Sequence, residues 1–234
     1  MLFLAAGSVA HSGDKSLTAA TEAVPIQFEG GLVLIVDDDM SVRQSLQLLV
    51  ESSGLKTQAF SSADEFLGTD VPLEPSCLLL DVRLPGTDGL ILQSELKARG
   101  WDIPIVFMTG HATVPMTVKA MRAGAIEFLC KPLDDVILLE AVTAALKQDS
   151  ETRLARSELE HLYSRYRSLT AREGEVFLLA IGGLMNKQIA AELGTTEITA
   201  KVHKRRVMEK MEARSLTDLV GMAVQLDLKP SRTR

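Results

Sequence analysis

The chain has 234 residues, 46% of them hydrophobic and 24% charged, with a formal net charge of −6. This is a globular composition with ample core-forming residues, and two cysteines support no disulfide framework. The charge is unevenly spread: residues 31–147 carry 16 acidic and 9 basic residues, whereas residues 168–234 carry 8 and 11. An acidic front and a basic back predict two domains with different partners.

Residues 1–30 are rich in Ala, Ser, Thr and Gly, and their short apolar patch has no basic residue before it. They read as a flexible N-terminal extension rather than a secretory signal. No apolar run approaches the roughly 18 residues of a membrane span, so a cytoplasmic protein without a membrane partner is expected.

From Leu32 onward, apolar runs alternate with helical patterns. The runs Leu32–Val36, Lys56–Phe60, Cys77–Leu80, Ile103–Met108 and Ile126–Cys130 read as strands. Between and after them, Ser41–Ser52, Ala63–Leu67, Leu90–Ala98, Val114–Arg122 and Asp134–Lys147 read as amphipathic helices. Five βα units predict a doubly wound α/β domain over residues 31–147, a five-stranded parallel sheet with helices on both faces. Cys77 and Cys130 are expected as buried thiols, too far apart to pair.

Residues 148–167 balance four acids with four bases. In and just beyond them Ala155, Leu159, Leu162, Tyr166 and Leu169 are spaced 4-3-4-3. This predicts a helical linker, either a short coiled coil or a single exposed helix. Residues 168–234 contain only helical patterns: Ala171–Ile181, Asn186–Leu193, Glu197–Met211 and Ser215–Val224. Thr170 and Glu173 have the spacing of a capping box. The glycine-led turn before Glu197 suits a helix-turn-helix within a small all-α domain of four helices.

Polar residues follow four of the five apolar runs. Asp37 and Asp38 come after Val36, Asp81 after Leu80, Thr109 after Met108 and Lys131 after Cys130. Open parallel sheets bind ligands beyond the carboxyl ends of their strands, so these side chains are expected to converge. Three carboxylates with waters suit a hard divalent cation, most simply Mg²⁺, which would offset their mutual repulsion. Asp81, on the central strand, is the expected nucleophile toward a phosphoryl group. Lys131 and Thr109 are placed to hold the remaining phosphoryl oxygens. Asp39 reads as charge tuning or as the N-cap of the next helix. The four histidines lack metal-ligand spacing, so no zinc site is expected.

The stretches VDDD, LLLDVRLPGTDGL and FMTGHATVPMTVKAMRAGAIEFLCKP together resemble the receiver domain of two-component response regulators over residues 32–147. The resemblance implies that Asp37 and Asp38 are the acidic metal pair, Asp81 the phospho-acceptor, and the backbone carbonyl of Arg83 a further metal ligand. It implies Thr109 and Lys131 as the phosphate-sensing pair and Phe128 as the aromatic that reports phosphorylation. TGHATVPM points to the FixJ-like branch.

On the helix Glu197–Met211, Val207 and Met211 fall within about 20° of Ala200 on the helical wheel, forming an inward stripe. Lys201, Val202, Arg205 and Arg206 lie on the opposite side, a candidate face for the major groove. The segment LTAREGEVFLLAIGGLMNKQIAAELGTTEITAKVHKRRVMEKMEARSLTDLV resembles the LuxR-type DNA-binding domain over residues 168–224. It implies Lys201, Val202 and Arg205 as base-reading residues, Lys187 as a phosphate contact, and Ser215–Val224 as the helix that pairs subunits. Gly174 and Ala200 depart from that pattern without touching the reading face.

Together these readings predict a transcriptional response regulator rather than an enzyme. A sensor histidine kinase would phosphorylate Asp81, and the receivers would then pair so that a homodimer binds double-stranded promoter DNA. The rival readings are an aspartate-nucleophile phosphotransferase or phosphatase, and a DNA-binding protein with a vestigial receiver.

Overall fold

The computed structural model describes residues 30–231, so the expected N-terminal extension lies outside the described residues but for Gly30. Five strands are present: β1 (Leu32–Val36), β2 (Lys56–Phe60), β3 (Ser76–Asp81), β4 (Ile105–Thr109) and β5 (Glu127–Cys130). They form one parallel sheet in the order β2-β1-β3-β4-β5. Helices α1 (Met40–Ser52), α2 (Ala63–Leu67), α3 (Gly89–Ala98) and α4 (Val114–Arg122) connect them. The long α5 (Asp135–Arg167) follows β5.

Strand alternation sends successive side chains to opposite faces. Leu34, Val36, Leu78, Leu80 and Phe107 pack with Phe66 of α2, Leu92 and Leu96 of α3 and Ala120 of α4. Val33, Ile35, Leu79, Val106 and Met108 pack with Leu46 and Val50 of α1 and with Leu138, Val142, Ala145 and Leu146 of α5. Both faces are therefore covered, which is why β1, β3 and β4 read as unbroken apolar runs. The edge strand β2 is half exposed.

Two expectations need correction. Strand β4 begins at Ile105 rather than Ile103, since Pro104 has no N–H to give to a ladder. Cys130 is exposed, whereas Cys77 is buried; Cys130 closes the short edge strand β5, whose ends are both uncovered. The segment expected as a helical linker is continuous with the helix before it, since α5 runs without interruption from Asp135 to Arg167. No Gly or Pro breaks that stretch.

The 4-3-4-3 stripe divides between two environments. Leu162 is buried, and Tyr166 and Leu169 pack with it into the C-terminal core, while Ala155 and Leu159 face solvent. The middle of α5 is tied down by Asp149, a buried carboxylate that accepts the Ser76 N–H at 2.8 Å and Arg153 Nε at 2.6 Å. Among the described residues, no helix is long and apolar enough to cross a membrane.

Four further helices, α6 (Ala171–Ile181), α7 (Asn186–Glu192), α8 (Glu197–Met211) and α9 (Leu216–Gln225), surround a second core. Val176, Phe177, Ile189, Val207, Met211 and Leu219 are fully buried there. Thr170 and Glu173 form the expected capping box. The turn between α7 and α8 contains Gly194 at φ +60, a left-handed conformation that L side chains resist. The end of α5 is bonded to the end of α8: Arg165 pairs with Glu212 at 2.9 Å, and Lys210 Nζ donates to the Ser168 carbonyl at 3.0 Å.

Candidate functional site

The strand order reverses direction between β1 and β3, the position where doubly wound sheets open a crevice beyond their carboxyl ends. Asp37 follows β1, Asp81 closes β3, Thr109 closes β4 and Lys131 follows β5. Asp37 and Thr109 are fully buried and Asp81 nearly so, while Asp38 is exposed at the rim.

Lys131 joins the strands. Its ammonium donates to Asp37 Oδ2 at 2.6 Å and to Asp81 Oδ2. Asp37 is further fixed by the Asp39 N–H, which donates to its Oδ1 at 2.9 Å. Arg43 of α1 donates to the Asp37 carbonyl at 2.7 Å, a positioning contact that sequence reasoning missed. Only its place one turn into the helix after the aspartates signals it. Asp81 Oδ1 accepts the Arg83 N–H at 2.9 Å, which sets the turn after β3. Thr109 Oγ1 accepts the His111 N–H at 3.2 Å.

Burial lifts the Asp37 carboxyl above its ordinary range, with Lys131 and the Asp39 N–H offsetting part of the rise. Burial also opposes the charge on Lys131, but Asp37 and Asp81 outweigh it and hold the ammonium above its usual value. The cluster thus keeps a cation among its carboxylates.

Oxygens of Asp37, Asp38 and Asp81 lie within 4.8 Å of one another. An all-oxygen set of this size fits a hard divalent cation. Asp39 stands outside the set: its side chain accepts the Ser41 and Val42 N–H groups and so caps α1.

Gly89 closes the turn from the opposite side. A Cβ there would lie 2.5 Å from the Asp81 carbonyl oxygen and 3.1 Å from Val82 Cα. Only glycine lets the start of α3 approach the end of β3 so closely. Phe128 of β5 is partly buried, its ring 6.0 Å from that of Phe107.

In the second unit, Ala200, Val207 and Met211 of α8 are fully buried, as the inward stripe requires. Lys201, Arg205 and Arg206 are exposed and Val202 is half-buried. Arg205 pairs with Glu209 at 3.4 Å, with both side chains mostly in solvent, a weak contact that leaves the guanidinium available. Lys187, in the first turn of α7, is also exposed.

Residues 33–143 match the family of response regulator receiver domains, and residues 167–223 match the luxR family of bacterial regulatory proteins. Nodulation protein W of Bradyrhizobium diazoefficiens is 48% identical over 86% of this chain and 89% of its own length. The transcriptional regulatory protein FixJ of Azorhizobium caulinodans is 42% identical over 85% of this chain and 94% of its own. The solved structure of the response regulator StyR superposes with a TM-score of 0.78 at 47% identity, covering 83% of this chain and 98% of that one. With both halves matched, and with relatives that span nearly the whole chain, this protein belongs to the two-component transcriptional response regulators that join a receiver domain to a LuxR-type DNA-binding domain.

Proposed function

We propose that Asp81 is the phospho-acceptor and that its phosphorylation by a sensor histidine kinase drives a homodimer onto promoter DNA. One observation carries this reading: Asp37, Asp81, Thr109 and Lys131 converge at one sheet edge, in a chain that also carries the exposed basic helix α8. A carboxylate oxygen of Asp81 attacks phosphorus, the phosphorus–nitrogen bond of the donor's phosphohistidine breaks, and the imidazole leaves. Lys131 turns from the carboxylates toward the new phosphoryl oxygens, and the Thr109 hydroxyl donates to another. Mg²⁺ held by Asp37, Asp38, Asp81 and the Arg83 carbonyl would neutralise charge on the transferring group.

Once Thr109 is drawn to the phosphoryl group it vacates space beside β5, and Phe128 turns inward to fill it. The face of α4, β5 and α5 changes with it. That face exposes Val114, Val118, Met121, Val136 and Ile137, an apolar set suited to a second receiver. Phosphorylation need only favour the pairing arrangement over the other for the population to shift. The same reading places the protein in the cytoplasm and takes residues 31–147 and 168–234 as separate folding units, with 148–167 between them. The division of the apolar clusters, one pair around the sheet and one around helices α6–α9 with the end of α5, supports two units.

The deciding experiment is Mg²⁺-dependent labelling of the full chain by acetyl phosphate. Wild-type protein should take up phosphate and Asp81→Asn should take up none, while Asp38→Ala should need more Mg²⁺. Undiminished labelling of Asp81→Asn would assign the nucleophile elsewhere.

A further inference from the structure

Helix α8 exposes an apolar side chain that the basic-face reading leaves out. Ile198 is 78% exposed, whereas every other apolar residue of α8 is buried or half-buried. A lone surface isoleucine is ordinary in itself. Its location is what singles it out. With Ala200 at 0°, Ile198 falls at about 160°, between Arg205 at about 140° and Val202 at about 200°. It therefore lies on the centre line of the reading face, opposite the buried stripe of Ala200, Val207 and Met211.

Ile198 also occupies the first turn of the second helix of the motif, where recognition helices meet base edges. That turn is held firmly. Thr196 Oγ1 accepts the Thr199 N–H at 3.2 Å, and the two threonine hydroxyls are 2.8 Å apart. A β-branched side chain on a fixed turn has little rotamer freedom to lose on binding. The apolar group that a base pair offers in the major groove is the thymine methyl. Ile198 and Val202 are one turn apart, about 6 Å along the helix axis, which corresponds to about two steps of 3.4 Å along a strand.

From these observations we infer that Ile198 is a specificity-determining residue that packs on the methyl group of a thymine, separate from any base contacted by Val202. The inference rests on α8 being the DNA-reading helix. It makes the face a mixed one, with Ile198 lying between Arg205 and Val202 and the two apolar readers on different base pairs.

The test uses the full-length protein with beryllofluoride and a DNA site selected from random sequence. Each thymine of the site is replaced in turn by deoxyuracil, which removes only the methyl group. At one thymine per half-site the replacement should weaken wild-type binding about fourfold, the equivalent of one methyl-sized group withdrawn from contact. In Ile198→Ala that penalty should vanish, while Ile198→Val, which keeps a β-branched methyl, should retain most of it. Binding of Ile198→Ala to unrelated DNA should match wild type. If the alanine variant binds the selected site as well as wild type, or keeps every deoxyuracil penalty, Ile198 reads nothing. If it weakens all DNA equally, Ile198 acts on the helix rather than on a base. Arg205→Ala separates this inference from its premise. Lost selectivity in Arg205→Ala but not in Ile198→Ala overturns the inference alone; a wild-type protein without site preference overturns both.

Discussion

The ion pair between Glu173 and Lys210 locks helix α8 to the rest of its domain, and its removal has a calculable effect. Glu173 is buried at the start of α6, where its carboxylate accepts Lys210 Nζ at 2.6 Å and the Thr170 N–H at 2.9 Å. The Lys210 ammonium and the Thr170 N–H together lower its pKa from 4.5 to about 2. At about 1.4 kcal/mol per unit, that displacement sets a ceiling of about 3 kcal/mol on the stabilisation. The Lys210 side chain is 35% exposed, however, and solvent screens it. In Glu173→Gln the amide oxygen can still accept the Thr170 N–H. The expected loss is therefore about 1–2 kcal/mol.

The chain supplies its own reporters for this measurement. Its single tryptophan, Trp101, packs edge-on against Phe66 in the receiver, with ring centroids 5.8 Å apart. Its two tyrosines, Tyr163 and Tyr166, lie at the end of α5, and Tyr166 packs on Phe177 of the C-terminal core at 5.5 Å. In a urea titration of the full chain, tyrosine absorbance reports the C-terminal unit and tryptophan fluorescence the receiver. With a slope of about 1 kcal/mol per molar urea for a small domain, Glu173→Gln should lower the tyrosine midpoint by about 1–2 M. The tryptophan midpoint should stay in place. Because the folded-state pKa lies below the unfolded one, the stabilisation is fully present above pH 4.5. It fades as the pH falls from there toward about 2, so the gap between wild type and variant should narrow over that window. A midpoint unchanged at pH 7, or a gap that stays constant down the window, would mean that the ion pair contributes nothing to the stability of the domain.

Gly89→Ala should destabilise the receiver by about 2 kcal/mol or more, because its Cβ would press on the Asp81 carbonyl oxygen; the Trp101 transition and the rate of acetyl phosphate labelling should both fall. In sedimentation, the full chain should associate more strongly with beryllofluoride than without it, and charge placed at Ile137 should abolish that response. Lys187→Ala should weaken binding to all DNA alike and flatten its salt dependence, since one fewer counterion is released. Arg205→Ala should cost about 1–3 kcal/mol on the preferred site and relax selectivity at one position per half-site; an equal loss on every sequence would make Arg205 a phosphate contact.

The family, the fold class and the polar residues at the strand ends are all legible in the order of residues alone. Apolar runs of four to six residues, followed by Asp37, Asp81 and Thr109, specify doubly buried strands with polar tips, because a parallel sheet covered on both faces leaves no room for polar side chains until the strand ends. The inward stripe of α8 was equally legible, since the helical period alone aligns Ala200, Val207 and Met211.

How those pieces are held depends on the packed fold. Lys131 reaches Asp37 and Asp81 from a separate strand, and no local pattern encodes a distance between strands far apart in the chain. The Arg43 contact and the close approach of Gly89 depend on the packing angles of α1 and α3 against the sheet. The spacing in α5 left a coiled coil and an exposed helix equally open. Packing draws Leu162, Tyr166 and Leu169 into the C-terminal core and leaves Leu159 in solvent. Cys130 reads as buried by residue type, but it is exposed because it lies at the open end of an edge strand. Periodicity reports which face of an element is apolar, whereas the neighbour that covers that face is chosen by the fold as a whole.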